Sequence, residues 1–239
     1  MPAAACHVQG RPVRYGFVST RQFALKAVAM RAQVSAPHAR SRGLAAVLGA
    51  CLVVAAAAHA AEPALVVRVN GAPTCERAGK TQLLAEGTKV LLGYVIVTDA
   101  TAKVKLILAD DSVIAIGRNS RVVLDEFVLA PERRTVQLRV IPGRFKIAIA
   151  RFFGAASTYE VRTATAVAGV RGTVLWGDTD LDTICALDGH VDVRALSGAG
   201  SRAQLAAGDC VTHMGAGQTA PLKPSAAELA AYLKEVTLE

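Results

Sequence analysis

"TATAVAGVRGT", Thr163 to Thr173, holds two glycines, one arginine and no acid. It reads either as a phosphate cradle or as a bend in a β-domain. A P-loop needs G-x-x-x-x-G-K-[ST] between a strand and a helix, so that backbone amides and a lysine meet the phosphates together. Here Gly169 and Gly172 stand three apart, no lysine follows, and the next residues, "TVLWGD", have strand character. The β reading is therefore preferred. It expects Gly169 and Gly172 to permit tight bends or positive φ, and Val167, Val170 and Val174 to pack inward. Arg171, between two small residues, is placed to bond the carbonyls of a neighbouring turn.

Outward from this stretch the hydrophobic period is two, from Leu65 to about Met214. "KVKLILADDSVIAI" alternates Val104, Leu106 and Leu108 against Lys103 and Lys105, then turns at Asp110-Asp111-Ser112. "TVQLRVIPGRFKIAIA" sets Val136, Leu138 and Val140 on one face, then Pro142-Gly143, then Phe145, Ile147 and Ile149. "CALDGHVDVRAL" turns at Asp188-Gly189, and "LAAGDCVTHM" adds a strand after Gly208-Asp209. The first three of these segments are expected to be hairpins. The fold class expected is all-β, a short-stranded roll, sandwich or solenoid. After Pro224 the pattern changes: Ser225-Ala226-Ala227-Glu228 is a capping box, and Leu229, Tyr232, Leu233 and Val236 follow at helical spacing. A short C-terminal helix should lie on the β-domain or on a partner.

The stretch "YEVRTATAVAGVRGT" resembles the signature of the FecR domain, R-T-P-x-A-x-x-G-V-R-G-T, carried here by Arg162, Thr163, Ala166, Gly169, Val170, Arg171, Gly172 and Thr173. The segment from Leu84 to Phe127 is similar to the elements that precede that signature, and "CALDGHVDV" and "LAAGDCV" to those that follow it. Tyr94, Asp111 and Ala164 depart from the usual residues without forbidding the fold. The resemblance covers about Leu65 to Met214 and implies a periplasmic β-module. Family members that regulate sigma factors carry a cytoplasmic helical domain before a membrane span. Residues 1–42 are short, basic and aperiodic, so that role is not expected to come with the motif.

The net charge of +8 is unevenly distributed. Seven basic residues and no acid fall in residues 1–61, leaving 20 basic against 19 acidic residues beyond. The mature chain is thus near neutral, which argues against nucleic-acid binding. Arg40 and Arg42 precede an apolar run, Gly43 to Ala60, that ends in Ala58-His59-Ala60, a cleavage pattern for export. Residues 1–60 are read as a leader, starting at Met1 or Met30, residues 65–214 as the β-domain, and residues 215–239 as linker and helix. Two other readings stay open. "LGAC" at Leu48 to Cys51 resembles a lipoprotein box, and an uncleaved Gly43 to Ala60 is just long enough to span a bilayer. All three place the β-domain outside the cytoplasm, periplasmic or secreted, or anchored in the inner membrane.

Catalytic candidates are weak. Cys185 and Cys210 suit a disulfide in an exported protein, leaving Cys75 over. Cys185, His190, Cys210 and His213 could be written as a zinc site, but Cys210 and His213 stand three apart and face opposite ways on a strand. "DTDLD", Asp178 to Asp182, starts like a calcium loop but has Thr183 and Gly189 where glycine and glutamate belong. It is read as a solvated acidic loop. Asp110-Asp111 and Asp125-Glu126 are read as solvated carboxylates at hairpin ends, and no nucleophile stands in a triad order. The expectation is a non-enzymatic binding or signalling module of the envelope, with no metal or cofactor, acting on an envelope protein through its sheet edges and through Leu229, Leu233 and Val236. A membrane sensor and an envelope hydrolase are the alternatives. The hydrolase requires a cleft at Asp178, Asp180 or His190.

Overall fold

The computed structural model describes residues 63–151, 156–170, 172–197, 201–218 and 220–238. Residues 1–60, expected to be a leader, lie outside these residues, as do Arg171, Phe152 and Phe153. In chain order the strands are β1 (Ala64–Asn70), β2 (Thr74–Arg77), β3 (Lys80–Leu83), β4 (Lys89–Val90), β5 (Val95–Thr98), β6 (Lys103–Leu108), β7 (Val113–Ile116), β8 (Ser120–Ala130) and β9 (Arg133–Val140). They continue with β10 (Arg144–Ala148), β11 (Ala156–Arg162), β12 (Ala166–Val170), β13 (Val174–Asp178), β14 (Thr183–Asp188), β15 (His190–Ala195), β16 (Arg202–Ala206) and β17 (Cys210–Val211). Helix α1 (Ala226–Lys234) closes the chain.

The strands form two open sheets, ordered β17-β14-β13-β10-β7-β6-β1-β4 and β16-β15-β12-β11-β9-β8-β5-β2-β3. Both advance in nearly the same chain order, because the polypeptide lays one or two strands in one sheet and then crosses to the other. The product is a sandwich that progresses like a solenoid. Pairing is antiparallel except for β9 with β11, which run parallel because β10 carries the chain through the opposite sheet between them.

Alternation along each strand makes the core. Val104, Leu106, Leu108, Ile114, Ile116, Phe145 and Ile147 from one sheet meet Val122, Leu124, Val136, Leu138, Val140, Tyr159 and Val161 from the other. Period-two side chains thus fill the space between the layers, as in any aligned sandwich.

Two of the three expected hairpins are reassigned. β6 and β7 do pair around Asp110-Asp111-Ser112, but Pro142-Gly143 and Asp188-Gly189 are corners where the chain changes sheet. At the first, Arg121 N donates to Pro142 O at 2.9 Å in the nine-stranded sheet, while Thr179 N donates to Gly143 O at 3.0 Å beside the other. Gly143 has φ 143°, and a Cβ there would lie 2.5 Å from the Ser120 side chain and 2.8 Å from its Cα. At the second, Asp188 pairs with Val174 and His190 with Ala206, in different sheets. Gly189 has φ 67° and packs on Thr173. Positive φ turns the chain within one residue, which serves a change of layer as well as it serves a hairpin. The strand after Gly208-Asp209, β17, likewise returns to the eight-stranded sheet. Polar hairpin turns occur at Pro131-Glu132, Thr163 to Thr165 and Thr179 to Asp182.

The opening stretch is accordingly a turn, a strand and a corner. Thr163 Oγ1 accepts from Ala166 N at 3.0 Å and closes the β11–β12 turn. Ala166, Ala168 and Val170 point into the core. Gly172, with φ 55°, begins the crossing, and Thr173 O accepts from Ile149 N at 2.9 Å in the other sheet. Two expectations are corrected by strand parity: Val167 faces outward although only 7% exposed, and Val174 is half-buried outside the core. Gly169 lacks positive φ and lies mid-strand.

Candidate functional site

On the outer face of the eight-stranded sheet, Lys105, Ala115, Lys146, Trp176, Cys185 and Cys210 stand in one row by register. Cys185 and Cys210 are joined as a disulfide across β14 and β17. Cys75 is buried. A Cys185→Ser, Cys210→Ser variant is expected to lose about 3.5 kcal/mol, from the closure entropy of its loop of 25 residues. An unchanged urea midpoint would refute that value.

The C-terminal segment straps this row. Leu222 bridges Cys210, and Ser225 caps α1 with Glu228 in the capping box read from the sequence. Tyr232 stacks on Trp176 with centroids 4.4 Å apart and planes 6° from parallel. Val236 is 2% exposed against its own sheet and is therefore not free to dock on a partner, contrary to the sequence expectation. Leu229 and Leu233 are half-buried. Polar contacts finish the strap. Arg118 donates to Glu235 through Nε at 3.2 Å and Nη2 at 2.6 Å, and Lys103 Nζ donates to Lys234 O and Thr237 O. A cation on these last carbonyls suits the helix C-terminus.

The hydrogen bonds from Arg118 hold the Glu235 carboxyl below the usual glutamate range, against a smaller opposing effect of burial. A folded-state pKa below the unfolded one stabilises above the unfolded value and loses that contribution as pH falls through the folded value. The strap is therefore expected to loosen as pH drops below the ordinary glutamate range. Proteolysis of the C-terminal segment across pH 7 to about 3 measures this. Equal acid sensitivity in Glu235→Gln would show that another group is responsible.

On the outer face of the nine-stranded sheet, register places Arg202, Arg194, Val167, Arg162 and Arg139 in one row. The neighbouring row holds Gln204, Asp192, Gly169, Glu160 and Gln137. Arg139 pairs with Asp125 at 2.7 Å. A groove of about 540 Å³ runs over Gly169 between these rows. Of the signature residues, Arg162 and Gly169 thus reach the surface, while Thr163, Ala166, Val170, Gly172 and Thr173 build the turn, core and corner beneath.

The other candidates disperse. Asp178 is not solvated: it is 4% exposed and accepts from Arg144 Nε at 2.8 Å and from Asp180 N. Asp180 takes Arg144 Nη2, and Asp182 accepts from Gly215 N at 2.6 Å. Among the described residues no cluster of three His, Cys, Asp or Glu could hold a metal. His190 starts β15, and His213 lies beyond β17. Asp110 is the larger surprise: it accepts from Arg134 Nη1 at 3.0 Å with both side chains 2% exposed. Arg134 also donates to Ala150 O at 2.7 Å and to Ser157 Oγ. Tyr159 lies against this guanidinium, and burial, with the Asp110 charge behind it, pushes its phenol pKa up.

Residues 94–200 match the FecR protein family, a span that takes in the signature, the buried Arg134 and the outer rows except Arg202, Gln204 and Cys210. The chain carries a FecR domain. Among curated proteins none matches it. Two crystal structures of a candidate anti-sigma factor from Parabacteroides distasonis ATCC 8503 are similar at TM-scores of 0.47 and 0.45, with 16% and 17% identity. They cover 58% and 57% of this chain, which spans 64% and 62% of theirs, less than two thirds of either. Among the described residues no helix is long and apolar enough to cross a membrane.

Proposed function

We propose that this FecR-domain chain is an exported, non-enzymatic binding module that signals in the cell envelope, with residues 1–60 as leader, 65–214 as the working domain and 215–239 as its strap. The observation that carries it is the FecR match over residues 94–200, lying behind an arginine-led apolar run that ends in an export cleavage pattern. Support for a non-enzymatic role comes from the carboxylates. Asp110 and Asp178, the most buried candidates, are each engaged by an arginine, which holds a carboxylate in its charged form. The partner is an envelope protein; no nucleic acid or cofactor enters.

Expressing the full chain in a Gram-negative host, fractionating it and weighing it with and without reduction tests the reading. A soluble periplasmic species that begins at Ala61, and gains two hydrogens on reduction, is the expected result. A membrane species that keeps Gly43 to Ala60 would replace it with a single-span sensor. A cytoplasmic species with its leader intact would end it.

A further inference from the structure

Gly169 stands where nothing in the fold asks for glycine. Its φ is not positive, and a Cβ built on it would meet only the Asp192 carbonyl oxygen, at an ordinary 3.8 Å. Gly143 and Gly189, by contrast, have positive φ and close neighbours. A glycine inside a strand costs backbone entropy and packs nothing, and it marks a place where a ligand or another chain comes close. What it leaves here is a hollow in the outer face, between Glu160 on β11 and Asp192 on β15, both in register with it.

The surroundings of the hollow are charged in two opposite rows. Glu160 and Asp192 flank Gly169, and one step along the strands Arg162 and Arg194 flank Val167, with Arg202 beyond. Among the described residues none of these five side chains has an ion pair or hydrogen bond. Arg194 lies directly opposite Arg202, and like charges in that position weaken a sheet unless something neutralises them. Same-face residues along a strand are about 6.8 Å apart, so this is the distance between the rows.

We propose that this face receives an extended segment of a protein partner carrying a basic and an acidic side chain two residues apart. The basic group enters the hollow over Gly169 between Glu160 and Asp192, and the acidic group meets Arg162 and Arg194 above Val167. An extended chain puts residues i and i+2 on one face with the same spacing of about 6.8 Å, so one segment laid along β12 satisfies both rows. A uniformly acidic or basic partner is repelled by one row. This inference rests on the binding-module reading and names its partner's chemistry.

Two neutral octapeptides of one composition test it on the full chain labelled with ¹⁵N. One repeats Thr-Lys-Thr-Glu; the other, Lys-Lys-Thr-Thr-Thr-Thr-Glu-Glu, has no lysine and glutamate two residues apart. At millimolar concentration the alternating peptide is expected to shift amide signals of β11, β12 and β15, and to bind about tenfold tighter than the block peptide. Gly169→Val should abolish those shifts without lowering the melting temperature, and Arg194→Gln should weaken them. Equal binding of both peptides, no shift with either, or undiminished binding by Gly169→Val overturns the proposal. None of these outcomes alters the fractionation result, and a cytoplasmic, unprocessed chain would sink the functional reading while leaving the peptide data intact.

Discussion

Arg134→Met is expected to lower the unfolding free energy by about 3–5 kcal/mol, the usual cost of removing one member of a buried ion pair. The guanidinium is 2% exposed and joins three segments: the β6–β7 turn through Asp110, the end of β10 through Ala150 O, and β11 through Ser157 Oγ. Methionine fills much of the volume but donates nothing, so a carboxylate, a carbonyl and a hydroxyl are left short of partners inside the sandwich. Arg139→Met is the control. Its pair with Asp125 is 48% and 35% exposed, and such pairs contribute at most about 1 kcal/mol. Asp110→Leu combined with Arg134→Met should recover part of the loss, because the orphaned charge is gone. Urea denaturation measures all three. A loss for Arg134→Met no larger than for Arg139→Met would refute the argument from burial.

The same pair shows what the sequence conveys and where it stops. Period two placed Val136 and Leu138 on the inward face, and Arg134 shares their parity, so its burial was readable in "RRTVQL". Reading Asp110-Asp111 as a hairpin end was right for the backbone; its solvation was wrong for Asp110, because the arginine that neutralises it is 24 residues away in the other sheet. Corners were misread for a related reason. Pro142-Gly143 fixes local dihedrals, and those dihedrals suit a hairpin or a change of layer equally. Which one occurs depends on whether β10 finds β7 and β13 or β9, a long-range pairing that no local pattern encodes. The helix was legible down to its cap because a capping box is local. Its docking surface was not, since the row under it gathers Trp176, Cys185 and Cys210 from three strands. Gly169 stood in the quoted stretch throughout. Only its ordinary φ and open surroundings separate it from the structural glycines.

Trp176→Ala is expected to cost about 3–5 kcal/mol and to release the C-terminal strap at the same time. The indole is fully buried on the outer face of its sheet, and that is unusual, because an outward-facing side chain is buried only when something lies over it. Here Tyr232 does, stacked in parallel, while Val236 fills the space beside it. Removing the indole leaves a cavity between sheet and helix and takes away the surface on which α1 rests. A helix of nine residues cannot hold its shape alone, so the segment should fray and become open to protease. Tyr232→Ala separates the two effects. It removes the cover but leaves the indole on the sheet, and the aromatic pair itself contributes about 0.5–1.5 kcal/mol beyond the area it buries. Trp176 is the one tryptophan of the chain, so its emission reports directly on that cover. Tyr232→Ala should shift the emission to the red with a modest loss of stability, and Trp176→Ala should cause the larger loss with rapid cleavage of the C-terminal segment. Unchanged emission in Tyr232→Ala would mean that solvent does not reach the indole when the tyrosine is gone. In that case the sheet and its disulfide, and not the strap, keep Trp176 dry.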